Sequence, residues 1–287
     1  MNHKKLVRIV GIACIPITLA SALMLLLCFK TSFDANEGYF TSGALPIVFQ
    51  VLYVLGILLA IASTIALNRK QVIKSPNQIG IIKIPFLLIA VMLTACAIAF
   101  TIVLAEADTF LSILGICSFA AYIVLCVVLD GYDTNAIKIL LVYLGAAFPV
   151  SMIMYNTSIT TRHINSIENT LSVAFGLSFM AYILYEAKRI YEGAHSRWHF
   201  GAMLLTVHTG FTLSFAYVVA YLSGSVYEKP RFLQMITSLL ITVLVGIELF
   251  RFVNESKALT QAEWDELEDT DEESEQTENK VEKTTNE

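Results

Sequence analysis

Charge is what this chain has least of. Only 15% of its 287 residues are Asp, Glu, Lys or Arg, where soluble domains average about 25%. That scarcity excludes an ordinary soluble globule, and a mean hydropathy of +0.67 points the same way. Cysteine is sparse too: five residues, an odd number, with no C-x-x-C spacing. Cys14, Cys28, Cys96, Cys117 and Cys126 all fall within or at the ends of apolar runs. They read as small buried hydrophobes, not as disulfide partners or metal ligands. The alternating segments that mark a membrane β-barrel are missing. So are a phosphate-binding G-x-x-x-x-G-K-[ST], a G-x-S-x-G elbow and an H-E-x-x-H pair. No catalytic residue, cofactor or nucleic-acid partner is therefore expected, and the chain is not read as an enzyme. No internal repeat suggests inverted transporter halves.

What the chain does have is long apolar runs. Each can cross a hydrocarbon core roughly 30 Å thick as a helix. The expectation is an all-α, polytopic membrane helix bundle over residues 1–253. Its eight spans are Leu6–Cys28, Ala44–Leu67, Ile84–Leu104, Phe110–Leu129, Ala136–Tyr155, Thr170–Ala187, His199–Leu222 and Leu233–Phe252. The first is longer than the apolar core of a signal peptide, and no small-x-small cleavage site follows it, so it is expected to stay as a helix. Gly56 and Ala60 have the spacing that lets helices approach closely, and Gly145–Ala147 form a second small patch. Pro16 and Pro149 fall inside spans and should bend them.

The charges that are present are unevenly placed. From Asn254 onward, thirteen acidic residues face three lysines, a net charge of −10, so the remainder carries +5. Residues 254–287 read as an acidic, disordered cytoplasmic tail, with one helical turn expected over Ala258–Leu267. With the N-terminus inside, thirteen Lys and Arg lie on the cytoplasmic side and four outside. Both termini are therefore placed in the cytoplasm.

Ionisable groups inside a membrane are costly and so are candidates for function. His208 lies deepest, roughly 13 Å along its helix from the cytoplasmic end. An interhelical hydrogen bond to a threonine or tyrosine accounts for it; a proton relay is the alternative. Glu248 shares a helix face with Arg251, and Glu186 with Arg189, so both read as boundary ion pairs. A transporter would bring His208, Gln50, Tyr182 and Thr209 onto one wet cavity. Glu192, His195 and His199 have a spacing that would align metal ligands on one helix face. Gly193 interrupts that face, so no metal is assigned. Asp130–Asn135 resembles part of a calcium loop but lacks its bidentate glutamate, and helix capping explains it.

Between the first two spans sits TSFDANEGYF, Thr31–Phe40. Asp34, Glu37, Gly38 and Tyr39 are its candidate outer-loop recognition residues. The structural reading is a turn: Gly38 supplies positive φ, Asp34 caps it, and the aromatics anchor at the headgroups. FDANEGYF resembles the FD-x-E-T-G-Y-F signature of multi-pass membrane proteins of Clostridia-type Gram-positive bacteria. Tyr185-Glu186-Ala187-Lys188-Arg189 is similar to their Y-E-A-R-F segment. This chain departs in having Glu37 where that group has threonine, and Lys188-Arg189 for arginine-phenylalanine. The resemblance implies a bacterial plasma membrane and no particular activity. The leading expectation is a non-enzymatic envelope or partner-binding protein, contacting the bilayer and a protein at the outer loop or acidic tail. The alternative is a small-solute or ion transporter with His208 in its pathway.

Overall fold

The computed structural model describes residues 3–34, 39–67, 73–74, 146, 149–150, 153, 166–192, 196–226, 229–255 and 257–258. Within them lie five helices: α1 (His3–Thr31), α2 (Ala44–Ala66), α3 (Ile167–Glu192), α4 (Arg197–Leu222) and α5 (Lys229–Glu255). Two short antiparallel ladders join them. β1 (Phe33–Asp34) pairs with β2 (Tyr39–Phe40), and β3 (Ile73–Lys74) pairs with β4 (Lys257–Ala258).

Four stretches are long and apolar enough to cross a membrane: Ile9–Thr31, Ala44–Ala66, Ile167–Arg189 and Arg197–Leu222. α5 carries a shorter apolar stretch, Gln234–Phe250. These five coincide with the first, second, sixth, seventh and eighth expected spans. α1, α3 and α5 run past their apolar stretches at one end or both, because polar residues continue the backbone ladder. The third and fourth expected spans lie outside the described residues, as do most of the fifth and the tail beyond Ala258. At the start of that tail the helical expectation differs from the structure, which pairs Ala258 in β4 with Ile73. Cys14 and Cys28 are free thiols.

α4 is the central helix and packs against α1, α2, α3 and α5. In lipid, water exclusion does not drive helices together; close contact and hydrogen bonds do. The residues follow that rule. α4 buries Gly201, Gly210, Thr206, His208, Thr209, Thr212 and Ser214. α2 turns Pro46, Phe49, Tyr53, Gly56, Ala60 and Ser63 inward, alternating three and four apart as a coiled-coil seam does. Its opposite face exposes Ile47, Val51, Leu58 and Ile65. α1 repeats the pattern, with Thr18, Ser21, Leu25 and Cys28 buried and Ile12, Ile15, Leu19 and Leu23 exposed. On a soluble protein such faces would be large sticky patches; on a membrane protein they face lipid. Gly224, at φ 74°, ends α4 in the left-handed conformation. Its N–H donates to the Tyr221 carbonyl at 3.0 Å, and the Ser225 N–H to Ala220 at 2.8 Å.

The TSFDANEGYF stretch is a hairpin. Phe33 faces Phe40 and Asp34 faces Tyr39 across the ladder. Thr41 N–H donates to the Ser32 carbonyl at 2.7 Å below it. Glu37 and Gly38, expected in a turn, lie outside the described residues. Phe33 and Phe40 also belong to an aromatic cluster. They pack on Phe29 at 5.1 and 5.9 Å between ring centroids, and Phe40 continues to Phe49 at 6.3 Å. This aromatic contact ties the hairpin to the end of the bundle.

Candidate functional site

The densest group of ionisable side chains forms where α3, α4 and α5 meet. On α3, Tyr182, Glu186 and Arg189 are four and three residues apart and so share one face. α4 starts afresh at Ser196, whose side chain accepts the His199 N–H at 3.2 Å as an N-cap. That new start separates His199 from Glu192, which ends α3. The face imagined for Glu192, His195 and His199 on one continuous helix therefore does not form. His195 and the Glu192 side chain lie outside the described residues. His199 turns inward to Glu186 instead, and α5 supplies Glu248.

The contacts are close. Arg189 Nε donates to Glu186 Oε2 at 2.9 Å, and its Nη2 donates to Glu186 Oε1. The same Nε lies 3.9 Å from Glu248 Oε1. The Tyr182 hydroxyl donates to Glu248 Oε2. His199 Nε2 stands 3.3 Å from Glu186 Oε2, and its ring packs on Tyr182 at 5.5 Å. Tyr182, Glu186 and His199 are buried, Arg189 and Glu248 partly so. One ligand-capable atom from each of Glu186, His199 and Glu248 lies within 4.8 Å of the others. The expected Glu186–Arg189 pair is thus present but is part of a larger group. Glu248 reaches Tyr182 and Arg189, while the Arg251 side chain lies outside the described residues.

His208 sits elsewhere, on the side of α4 that faces α1 and α2. Its Nδ1 is 3.0 Å from Thr18 Oγ1, and its Nε2 is 3.0 Å from the Tyr53 carbonyl oxygen. The tautomer that satisfies both accepts from the threonine hydroxyl at Nδ1 and donates from Nε2. Gly56 makes room for the ring, because a Cβ there would overlap the imidazole. His208 thereby clamps three helices. We expect His208→Ala to lower stability by about 1–3 kcal/mol, given about 0.6–1.7 kcal/mol for each such bond in a membrane bundle. Denaturant titration in mixed micelles measures it.

A third polar group was not anticipated. Arg231, at the start of α5, donates from Nη1 to Glu168 Oε2 at 2.9 Å and from Nη2 to Asn169 Oδ1. Glu168 is 0% exposed and Arg231 2%. The apolar runs had placed both residues in outer loops, but the helices begin earlier than those runs. Equal depth was the available signal: each lies just before its span on the same side of the membrane.

The four residues a His208-centred transporter would gather are dispersed. Gln50 lines a groove of about 350 Å³ beside Tyr39, Phe40, Pro46 and Ile167 at the hairpin end. Thr209 bonds Ser178 at 2.8 Å between hydroxyl oxygens. Tyr182 belongs to the acidic group and His208 to the α1–α2–α4 clamp. Asp34 and Tyr39 stay together in the hairpin, far in sequence and in fold from Glu186 and Glu248.

In comparisons with known proteins, no family model, no curated protein and no solved structure matches the chain. Function rests on the site chemistry.

Proposed function

We propose that the chain is a multi-pass bacterial plasma-membrane protein that passes protons, alone or coupled to a solute, along the seam between α3, α4 and α5. One observation carries this reading. Two carboxylates, Glu186 and Glu248, approach the Arg189 guanidinium inside the helix contact. A purely structural ion pair needs one charge of each sign. The second carboxylate at this guanidinium is a group that can take up and release a proton, with Tyr182 as its hydrogen-bond donor and His199 near Glu186.

The seam toward the other end supports the reading. It runs through Ser178 and Thr209 to the buried Glu168–Arg231 pair. Between the two charged groups the side chains of Ser172, Thr206, Gln234 and Thr237 are buried without a hydrogen-bond partner among the described residues. In lipid, buried polar atoms of this kind call for water. The excess of Lys and Arg in the segments assigned to the inside supports placing the Glu186–Glu248 group at the cytoplasmic end.

Reconstituted vesicles with a trapped pH dye test this. A pH gradient should collapse faster with the protein than without it. Glu248→Gln should slow the collapse about 100-fold, the scale on which proton-transfer groups matter, while His208→Ala should leave it unchanged. Loss with His208→Ala alone would restore the pathway through that histidine. No collapse by the native protein across solutes would leave the second reading.

That second reading is a non-enzymatic envelope or partner-binding protein. The observation favouring it is the groove beside Tyr39, which is 39% exposed on the hairpin. A protein partner would engage the hairpin that carries Asp34, or the acidic tail. Photo-crosslinking from position 39 in intact cells, set against an Asp34→Ala/Glu37→Ala variant, separates the two surfaces.

A further inference from the structure

We infer that Glu186, His199 and Glu248 form a binding site for a divalent transition-metal ion of the zinc or manganese class. The inference rests on the reading of this group as a functional cation centre and names an ion that centre would hold.

The spacing is the first argument. His199 Nε2 and Glu186 Oε2 are 3.3 Å apart. Two ligands at metal bonds of about 2.0–2.1 Å in a tetrahedral shell are separated by about 3.3 Å. A third donor, from Glu248, lies within 4.8 Å of one donor atom from each of the other two, and its carboxylate would move in to complete the shell. Water or a solute would supply the fourth ligand, as in open metal sites.

The supporting contacts are the second argument. Metal-bound carboxylates are usually held by further hydrogen bonds. Here Arg189 holds Glu186 and Tyr182 holds Glu248. The three ligands come from three helices whose packing fixes their approach, and the His199 ring is braced against Tyr182.

Charge alone does not choose the ion. The imidazole nitrogen decides, because it suits transition metals better than sodium, magnesium or calcium.

The test uses the full chain in detergent, stripped with chelator and titrated with Zn²⁺ and separately with Mn²⁺. We expect one ion per chain by calorimetry and by elemental analysis after desalting. His199→Ala and Glu248→Gln should each weaken binding more than about 100-fold, and Tyr182→Phe about 10–100-fold, as supporting contacts do. Bound Mn²⁺ should show nitrogen coupling in its pulsed paramagnetic resonance spectrum, lost in His199→Ala. If that variant fails to fold, the near-isosteric Glu248→Gln carries the affinity test and the wild-type spectrum reports the nitrogen ligand. Absence of saturable binding, or binding that Glu248→Gln leaves unchanged, would overturn the site. Proton flux in metal-free vesicles with no metal binding would sink this inference and spare the proton pathway. Metal binding without flux would do the reverse.

Discussion

Replacing Arg231 with methionine should lower stability by about 3–5 kcal/mol, the cost of leaving a buried partner charge uncompensated. The reason is the burial of Glu168, which is 0% exposed and accepts from Arg231 Nη1 at 2.9 Å. Methionine fills much of the arginine volume but offers no donor to Glu168 or Asn169. The carboxylate then loses the guanidinium that donates to it. Its partner variant should rescue it. Glu168→Gln combined with Arg231→Met removes both charges, so no uncompensated carboxylate is left buried. Most of the loss should therefore return in the double variant. Denaturant titration in mixed micelles reads all three proteins. A loss below about 1 kcal/mol in the single variant would mean the pair behaves as a solvated surface bridge.

The second large effect concerns packing. Gly210→Leu should destabilise the bundle by about 3 kcal/mol, the upper end of overpacking costs. A Cβ at Gly210 would overlap both Thr242 Oγ1 on α5 and the Phe175 ring on α3. Two neighbours on two helices must move, and neither is the free end of a flexible chain. Gly246 is the matched control. A Cβ there meets only Val207 Cγ2, at 3.9 Å, which is ordinary contact. Gly246→Ala should be neutral or slightly stabilising, since alanine favours the helix by about 1 kcal/mol over glycine. Thermal unfolding of the two variants in detergent, followed by circular dichroism, compares them. Equal melting temperatures would show that α3 and α5 do not close on α4 at that level.

The residues that proved legible in sequence share a property: their behaviour depends on near neighbours. Ala44–Ala66 is a helix because twenty-three consecutive residues are almost wholly apolar, and transfer into lipid is set by local composition. The Glu186–Arg189 contact is visible because it spans one helical turn. The small residues Gly56 and Ala60 were rightly placed at a helix contact, though nothing local says that Gly56 makes space for His208.

The candidate site was less legible, and the physical reason is distance along the chain. Glu248 meets Tyr182 across 66 residues, Arg231 meets Glu168 across 63, and His208 meets Thr18 across 190. Periodicity carries no information on such pairs. His199 shows how local reading misleads. Its spacing from Glu192 and His195 suggested a shared face, but Ser196 caps a new helix and rotates His199 onto Glu186. One long-range clue was available, because topology fixes depth. Glu186 nears the end of its helix, His199 opens the next, and Glu248 nears the end of the last, so all three lie at one level. Glu168 and Arg231 match at the other.

By itself, the sequence determined that this chain makes long apolar helices, where five of them run, and how its charge is divided between bundle and tail. Those properties follow from composition and from the backbone's need to satisfy its own hydrogen bonds in lipid. Only the tertiary structure decided which polar groups share an interior, since a buried charge is satisfied by whichever helix packs beside it. That choice placed Glu186, His199 and Glu248 in one group, sealed Arg231 against Glu168, and set His208 apart as the clamp of α1, α2 and α4.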